Sequence, residues 1–166
     1  MITKANKYCL DANVLIQAWQ KYYNPKFCPD YWKVLIELGL SGKIFIPELV
    51  YEEIVRTEDD LSKWLKASNI PIAKISGAIT KHIRKILNDY PSLVDNTRAR
   101  SLADPWVIAH ALSENATVVT KEEKVTASNS KKIKIPNVCD NIGVRWIDDF
   151  LFIDELDITF QCSLAG

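Results

Sequence analysis

The sequence predicts an α/β fold: a three-layer α/β/α sandwich around a central, mainly parallel sheet of four to five strands. Three observations point there. Short apolar runs rich in β-branched residues alternate with segments whose apolar residues recur at helical spacing. Each early strand is followed by a helix, and helical connections favour parallel pairing with both sheet faces covered. The chain has 166 residues, of which 48% are hydrophobic, and that is enough for one core and one domain over residues 1–166.

The elements follow in order along the chain. Residues 7–10, KYCL, form a short strand that ends at Asp11. Val14, Leu15, Ala18, Trp19 and Tyr22 then fall on one helical face, and Asn24-Pro25 breaks the pattern. A second helix runs from about Pro29 to Leu40 and stops at Ser41-Gly42. Lys43 to Ile46 is a second strand, after which Pro47 opens a helix through Val50, Ile54 and Val55. Residues 58–100 read as helical throughout. Leu61, Trp64 and Leu65 mark one helix there, and Ile75, Ile79, Ile83, Ile86 and Leu87 mark another. Asn69-Ile70-Pro71 and Tyr90-Pro91 punctuate them. A helix from Asp104 to about Glu114 precedes a third strand over 116–120, rich in β-branched residues. Residues 121–136 are polar and read as a loop. Gly143 to Ile147 is a last strand, and a short helix starts at Asp148.

Composition excludes several classes. Five Trp, six Tyr and five Phe are too many core formers for a disordered chain. Lys plus Arg and Asp plus Glu both number 21, so the net charge is zero. A general nucleic-acid coat protein would be basic, because phosphate neutralisation supplies most non-specific affinity. An acidic active site, by contrast, can offset basic patches elsewhere. Cys9, Cys28, Cys139 and Cys162 show no metal-ligand spacing and read as reduced, small hydrophobes. The first residues lack a signal-peptide apolar stretch, and no apolar run approaches membrane length. A soluble, cytoplasmic protein is expected.

In an open parallel sheet, chemistry collects beyond the carboxyl ends of the strands. Asp11 follows the first strand, with Asn13 two residues on. Glu52 and Glu53 lie on the helix after the second. Glu122 and Glu123 follow the third, and Asp104 opens the helix that leads into it. Each has a plain structural reading. Asp11 could cap its helix. Asp104-Pro105 has the form of an N-cap followed by proline at the first helical position. The glutamates could be solvated. Their convergence on one sheet edge is what those readings leave unexplained.

Carboxylates brought together repel one another and need a cation to stay ionised. Hard oxygen donors suit Mg²⁺ or Mn²⁺ rather than zinc. One or two such ions activate water and stabilise the leaving oxygen of a phosphodiester. No Ser/His/Asp or Cys/His constellation and no glycine-rich phosphate loop is visible. His82 and His110 are the only histidines, and His110 reads as structural.

The segments YCLDANVLI, IFIPELVYEEI, LADPWVIAHAL and ATVVTKEE, in that order, resemble the four motifs of PIN-domain ribonucleases, over roughly residues 7–150. The resemblance implies that Asp11, Glu53, Asp104 and Glu122 are the catalytic, metal-binding carboxylates, holding one or two Mg²⁺ or Mn²⁺ ions. Asn13, Thr120 and Glu52 would support them. Glu53 is favoured over Glu52 by register with the family. The fourth motif departs from the family pattern, since Glu122 stands where an aspartate is usual. That form is similar to bacterial PIN-like toxins of toxin–antitoxin pairs. The resemblance further implies an RNA substrate, a homodimer, and an antitoxin peptide lying over the acidic groove.

Three basic clusters could hold phosphates: Lys81-His82-Arg84-Lys85, Arg98 with Arg100, and Lys131, Lys132 and Lys134. The aromatic residues Tyr22, Tyr23, Phe27, Tyr31 and Trp32 read as core or protein interface rather than a base-stacking platform. The expected activity is a metal-dependent endoribonuclease. The alternative is a non-catalytic PIN-like binding module with a degenerate metal site. A DNA or flap nuclease of the same superfamily is disfavoured, because the chain lacks room for extra DNA-clamping helices.

Overall fold

A computed structural model describes residues 5, 7–94 and 102–166. The strands are β1 (Tyr8–Leu10), β2 (Ile44–Pro47), β3 (Ile72–Ala73), β4 (Thr117–Val119) and β5 (Trp146–Ile147). They form one sheet in the order β3-β2-β1-β4-β5, with every pairing parallel. The helices are α1 (Ala12–Gln17), α2 (Pro29–Leu40), α3 (Glu48–Val55), α4 (Asp60–Ser68), α5 (Gly77–Asp89), α6 (Asp104–Glu114), α7 (Ile135–Ile142) and α8 (Asp149–Glu155). They flank the sheet in the α/β/α arrangement that the sequence predicts.

Strands buried on both faces should be apolar without alternation, and these are. Tyr8, Cys9, Leu10, Ile44, Ile46, Val118 and Val119 are all fully buried. Helix α6 packs across β1, β2 and β4. Its buried face carries Val107, Ile108 and Ala111. Helix α2 ends as predicted. Gly42 takes a left-handed φ of 73°, which lets Lys43 N donate to Leu38 O at 2.9 Å and turns the chain into β2. Asp59 and Asp148 cap α4 and α8 by accepting from the N–H groups of Ser62 and Leu151, each at 2.8 Å.

Three readings need correction. The region 58–100 is not helical throughout, because Ile72–Ala73 pairs with β2, where Ile46 lies opposite Ile72. Two residues carry no periodicity to detect. What places them is Ile46 N donating to Pro71 O at 3.0 Å. The loop after β4 ends at Lys134 rather than 136, because α7 begins at Ile135 with Pro136 in its first turn and closes at Gly143, φ 74°. Proline inside the start and glycine past the end are the signal that was available. The last strand is also shorter, only Trp146–Ile147. The first helix, in contrast, runs on through a π-helical turn over Ala18–Tyr22.

The aromatic residues of the first helix pair divide. Tyr31 and Trp32 are buried, and Trp32 meets Trp19 and Trp64 edge-on at 4.6 and 4.8 Å. Tyr22 and Phe27 are exposed. Helix α8 is held to the sheet by Tyr8, whose ring meets Phe152 edge-on at 5.1 Å and whose hydroxyl donates to Glu155 at 2.8 Å. The guanidinium of Arg145 pairs with the same buried carboxylate. The described residues contain no helix long and apolar enough to cross a membrane, and all four cysteines are unbridged. Tyr8→Phe removes a hydrogen bond to a buried charged acceptor. It should lower stability by about 1.5–2 kcal/mol, measured by urea unfolding; an unchanged midpoint would mean that Glu155 is held without the Tyr8 hydroxyl.

Candidate active site

The chain moves outward from β1 to β2 and β3, then returns past β1 to β4 and β5. Strand order therefore reverses between β1 and β4, and side chains just beyond their carboxyl ends line a crevice. The ladder persists one step beyond β1, with Asp11 N donating to Val119 O at 3.0 Å. That bond fixes the backbone from which the Asp11 carboxylate projects.

Asp11 is 4% exposed. One of its oxygens accepts from Ala12 N at 2.8 Å, so the helix-capping reading and the site reading both describe this residue. The other accepts from the Thr120 hydroxyl at 2.8 Å. Asn13 joins the same two strand ends. Its amide nitrogen donates to Thr120 Oγ1 at 3.4 Å, and its oxygen accepts from Lys121 N at 2.9 Å. Thr120 Oγ1 also accepts from Glu122 N at 3.1 Å, which bends the chain after β4. The spacing of Asp11, Asn13, Thr120 and Glu122 is thus set by one network across two parallel strands.

Asp104 lies at the first position of α6, 9% exposed. Its expected role as a helix cap is not found. The cap position is Ala103, and no side chain caps this helix. Asp104 instead turns toward the other acids: Asp11, Glu122 and Glu53 all raise its carboxyl, after burial as the main cause, and Lys134 opposes them. The result is a carboxyl pushed up to about 9. Burial likewise pushes Asp11 up to about 7; Glu122 and Glu53 add to the shift, and the Thr120 hydroxyl works against it. Two buried acids, each with a raised carboxyl, stand at one sheet edge.

The glutamates of α3 separate clearly. Glu53 is half-buried and acts on both aspartates, whereas Glu52 is exposed. A cavity of about 140 Å³ opens beside them, lined by Leu49, Glu52, Glu53, Arg56, Leu102 and Ala103, the last directly preceding Asp104. Glu122 is partly committed elsewhere, because one of its oxygens accepts from Ile135 N at 2.9 Å, at the start of α7. Among the described residues, no three His, Cys, Asp or Glu side chains already form a group that could hold a metal ion. The carboxylates face a common region without forming a closed cage.

Of the three loop lysines, Lys134 bears on Asp104, while Lys131 and Lys132 are exposed. Lys81, Arg84 and Lys85 are exposed on α5, which packs against α6. Arg98 and Arg100 lie outside the described residues. His110 is buried on α6 away from the acids, its Nε2 without a hydrogen-bond partner among the described residues. Sequence reasoning missed Lys121 and Asp149. The Lys121 ammonium turns back from the acids and pairs with buried Asp149 at 2.7 Å, between the rings of Tyr22 and Phe150.

Residues 8–160 match the family described as Domain of unknown function (DUF4411), and the chain belongs to that family. Solved structures share its fold. VapBC2 from Rickettsia felis bound to a promoter DNA fragment is 18% identical, with a TM-score of 0.51, over 85% of this chain and 97% of that one. VapBC-1 from nontypeable Haemophilus influenzae gives 18% and 0.51 over 85% and 96%. DNA-bound VapBC from Salmonella typhimurium gives 17% and 0.51 over 86% and 97%. These likenesses make the fold PIN-like. The comparison with curated proteins gave no match.

The two raised carboxyls make stability depend on pH. The folded state keeps protons that the unfolded chain releases from about pH 4 upward, so the contribution of these two groups to stability is greatest at low pH. It falls as pH rises toward about 7 for Asp11 and about 9 for Asp104. In a chelating buffer, urea unfolding should show falling stability from about pH 5 to 9, with a shallower fall in Asp104→Asn. Stability that rises over that window would contradict the burial of these acids.

Proposed function

We propose that this DUF4411 protein, built on a PIN-like fold, is a metal-dependent endoribonuclease that hydrolyses RNA phosphodiester bonds. We place it as the toxin of a toxin–antitoxin pair. The observation that carries the reading is the pair of buried aspartates at the switch point, Asp11 and Asp104. Each is raised by the other acids facing the same region. Desolvated carboxylates in mutual repulsion are costly unless a cation neutralises them.

The donor set fits Mg²⁺ or Mn²⁺, since all four side chains offer hard carboxylate oxygens. Asp11 and Asp104 would be the principal ligands, with Glu53 and Glu122 completing the shell of one or two ions. Such an ion supplies Lewis acidity toward a phosphodiester and its attacking water. The chain's own residues do the rest. Thr120 donates to Asp11 and so favours its ionised form. Asn13 fixes the position of Thr120 relative to β1. Glu52, exposed beside Glu53, adds negative charge at the rim. Lys134, close enough to act on Asp104, is placed to meet a substrate phosphate. Lys131 and Lys132 extend the basic surface along the same loop.

The antitoxin partner is inferred from the VapBC structures, which are toxin–antitoxin complexes. A peptide over the acidic groove and a homodimer belong to the same proposal, as does a cytoplasmic site of action. One observation favours a second reading, a non-catalytic PIN-like binding module. The contact of Glu122 with Ile135 N makes Glu122 in part a structural tie.

Calorimetry with Mn²⁺ separates the two readings. The wild type should bind the ion and Asp11→Asn should not, while circular dichroism shows both folded. In an RNA cleavage assay with Mn²⁺, Asp11→Asn and Asp104→Asn should each lose about a hundredfold or more. Either variant cutting at the wild-type rate would remove its residue from the site. Wild-type protein that binds Mn²⁺ neither alone nor with RNA would favour the binding module.

A further inference from the structure

A cavity of about 470 Å³ opens immediately beyond the carboxyl end of β4. Its wall includes Gln17, Tyr22, Lys121, Lys124, Trp146 and Phe150. Glu122 also lines it, and Glu122 acts on both Asp11 and Asp104, so the cavity borders the acidic centre through that residue. We propose that this cavity is a nucleobase subsite that stacks a base of the RNA beside the cleaved phosphodiester. The inference rests on the nuclease reading and names the part of the substrate that this pocket recognises.

The rings are presented to solvent and held in place. Tyr22 is 45% exposed and Phe150 54%, large values for such side chains beside a catalytic crevice. They meet edge-on with centroids 6.1 Å apart. The Lys121 ammonium lies 4.6 Å from the Tyr22 centroid and 4.4 Å from that of Phe150. Side-chain freedom is thus already reduced before a base arrives, and pre-ordering lowers the entropic cost of binding.

Charge decides what the pocket takes. Both lysines are already paired, Lys121 with Asp149 at 2.7 Å and Lys124 with Asp140 at 2.6 Å. Asp140 also accepts from the Trp146 indole at 2.8 Å, which sets the angle of that ring. Glu122, Glu123 and Asp148 add negative charge to the same wall. A phosphate gains little from cations neutralised in this way. An uncharged, flat ring meets Tyr22, Trp146 and Phe150 in the cavity wall, and the Gln17 amide offers both a donor and an acceptor to its edge. Base–aromatic stacking tolerates sequence, so the pocket gives affinity first and preference second.

The test uses the full-length protein and short fluorescein-labelled 2′-O-methyl RNAs, which resist cleavage, read by anisotropy without divalent ions. Tyr22→Ala and Phe150→Ala should each weaken binding about ten- to a hundredfold, and Tyr22→Phe should retain the wild-type affinity. Both side chains are exposed, so circular dichroism should be unchanged in the variants. Wild-type affinity in both alanine variants overturns the subsite, as does a wild type that binds none of the RNAs. So does a change in oligomeric state by light scattering with RNA affinity intact, which would make the cavity a contact between protein copies. The two proposals fail separately. Cleavage with Mn²⁺ but no effect of the alanine variants removes the pocket alone. Pocket-dependent binding without cleavage removes the nuclease alone.

Discussion

The hydrogen bond from Thr120 to Asp11 depends on the constraint that organises the rest of the molecule, the parallel pairing of β1 with β4 at the reversal of strand order. Tyr8 lies opposite Thr117 and Leu10 opposite Val119, so the residues after each strand emerge side by side. A slip of one residue would turn the side chains of one strand to the opposite face. It would also separate Asp11 from Thr120 and Asn13 from Lys121. The register is held from the apolar side, because Tyr8, Cys9, Leu10, Val118 and Val119 are buried. Core packing and site geometry are therefore the same constraint seen at the two ends of a three-residue strand.

The same pairing creates the electrostatic problem that defines the site. Helix α6 crosses β1, β2 and β4, and its first residue, Asp104, is carried to the edge where Asp11 already stands. Glu53 approaches from α3 and Glu122 from the turn after β4. Burial is the largest cause of the shift in both aspartates, and mutual repulsion adds to it. A fold selected only for stability would have hydrogen-bonded these acids more fully or replaced them. Lys121 turns away from them and joins Asp149, its ammonium lying between the rings of Tyr22 and Phe150. That division sets the Lys121 charge on the aromatic side of the β4 end and the carboxyls of Asp11 and Asp104 on the other.

Much of this was legible in the residues. Asp11, Asn13, Asp104, Thr120 and Glu122 stand just beyond strands or at helix starts that apolar patterning reveals, and Glu53 lies on the helix after the second strand. On α3, Glu53 is half-buried and acts on both aspartates, while Glu52 is exposed. Other features had no local signature. The strand Ile72–Ala73 exists only because β2 offers it a partner. Asp104 looked like a helix cap and is not one, because its carboxylate is drawn into the crevice rather than back over its own helix. Lys134 gave no sign in the sequence that it stands apart from Lys131 and Lys132. The Glu122 contact with Ile135 follows from α7, a helix hidden behind a lysine-rich run.

Sequence by itself determined the α/β class, most of the elements and the acidic residues at their ends. Helical periodicity, caps and turns act over a few positions, and each leaves its record in neighbouring residues. Tertiary structure alone decided which charges meet. It set Lys121 against Asp149 rather than against the acids, and it gathered Tyr22, Trp146 and Phe150 into one wall. Tyr22 and Lys121 lie far along the chain from residues 146–150, and burial and hydrogen bonding depend on distance in space. Only the assembled fold brings them close enough to interact.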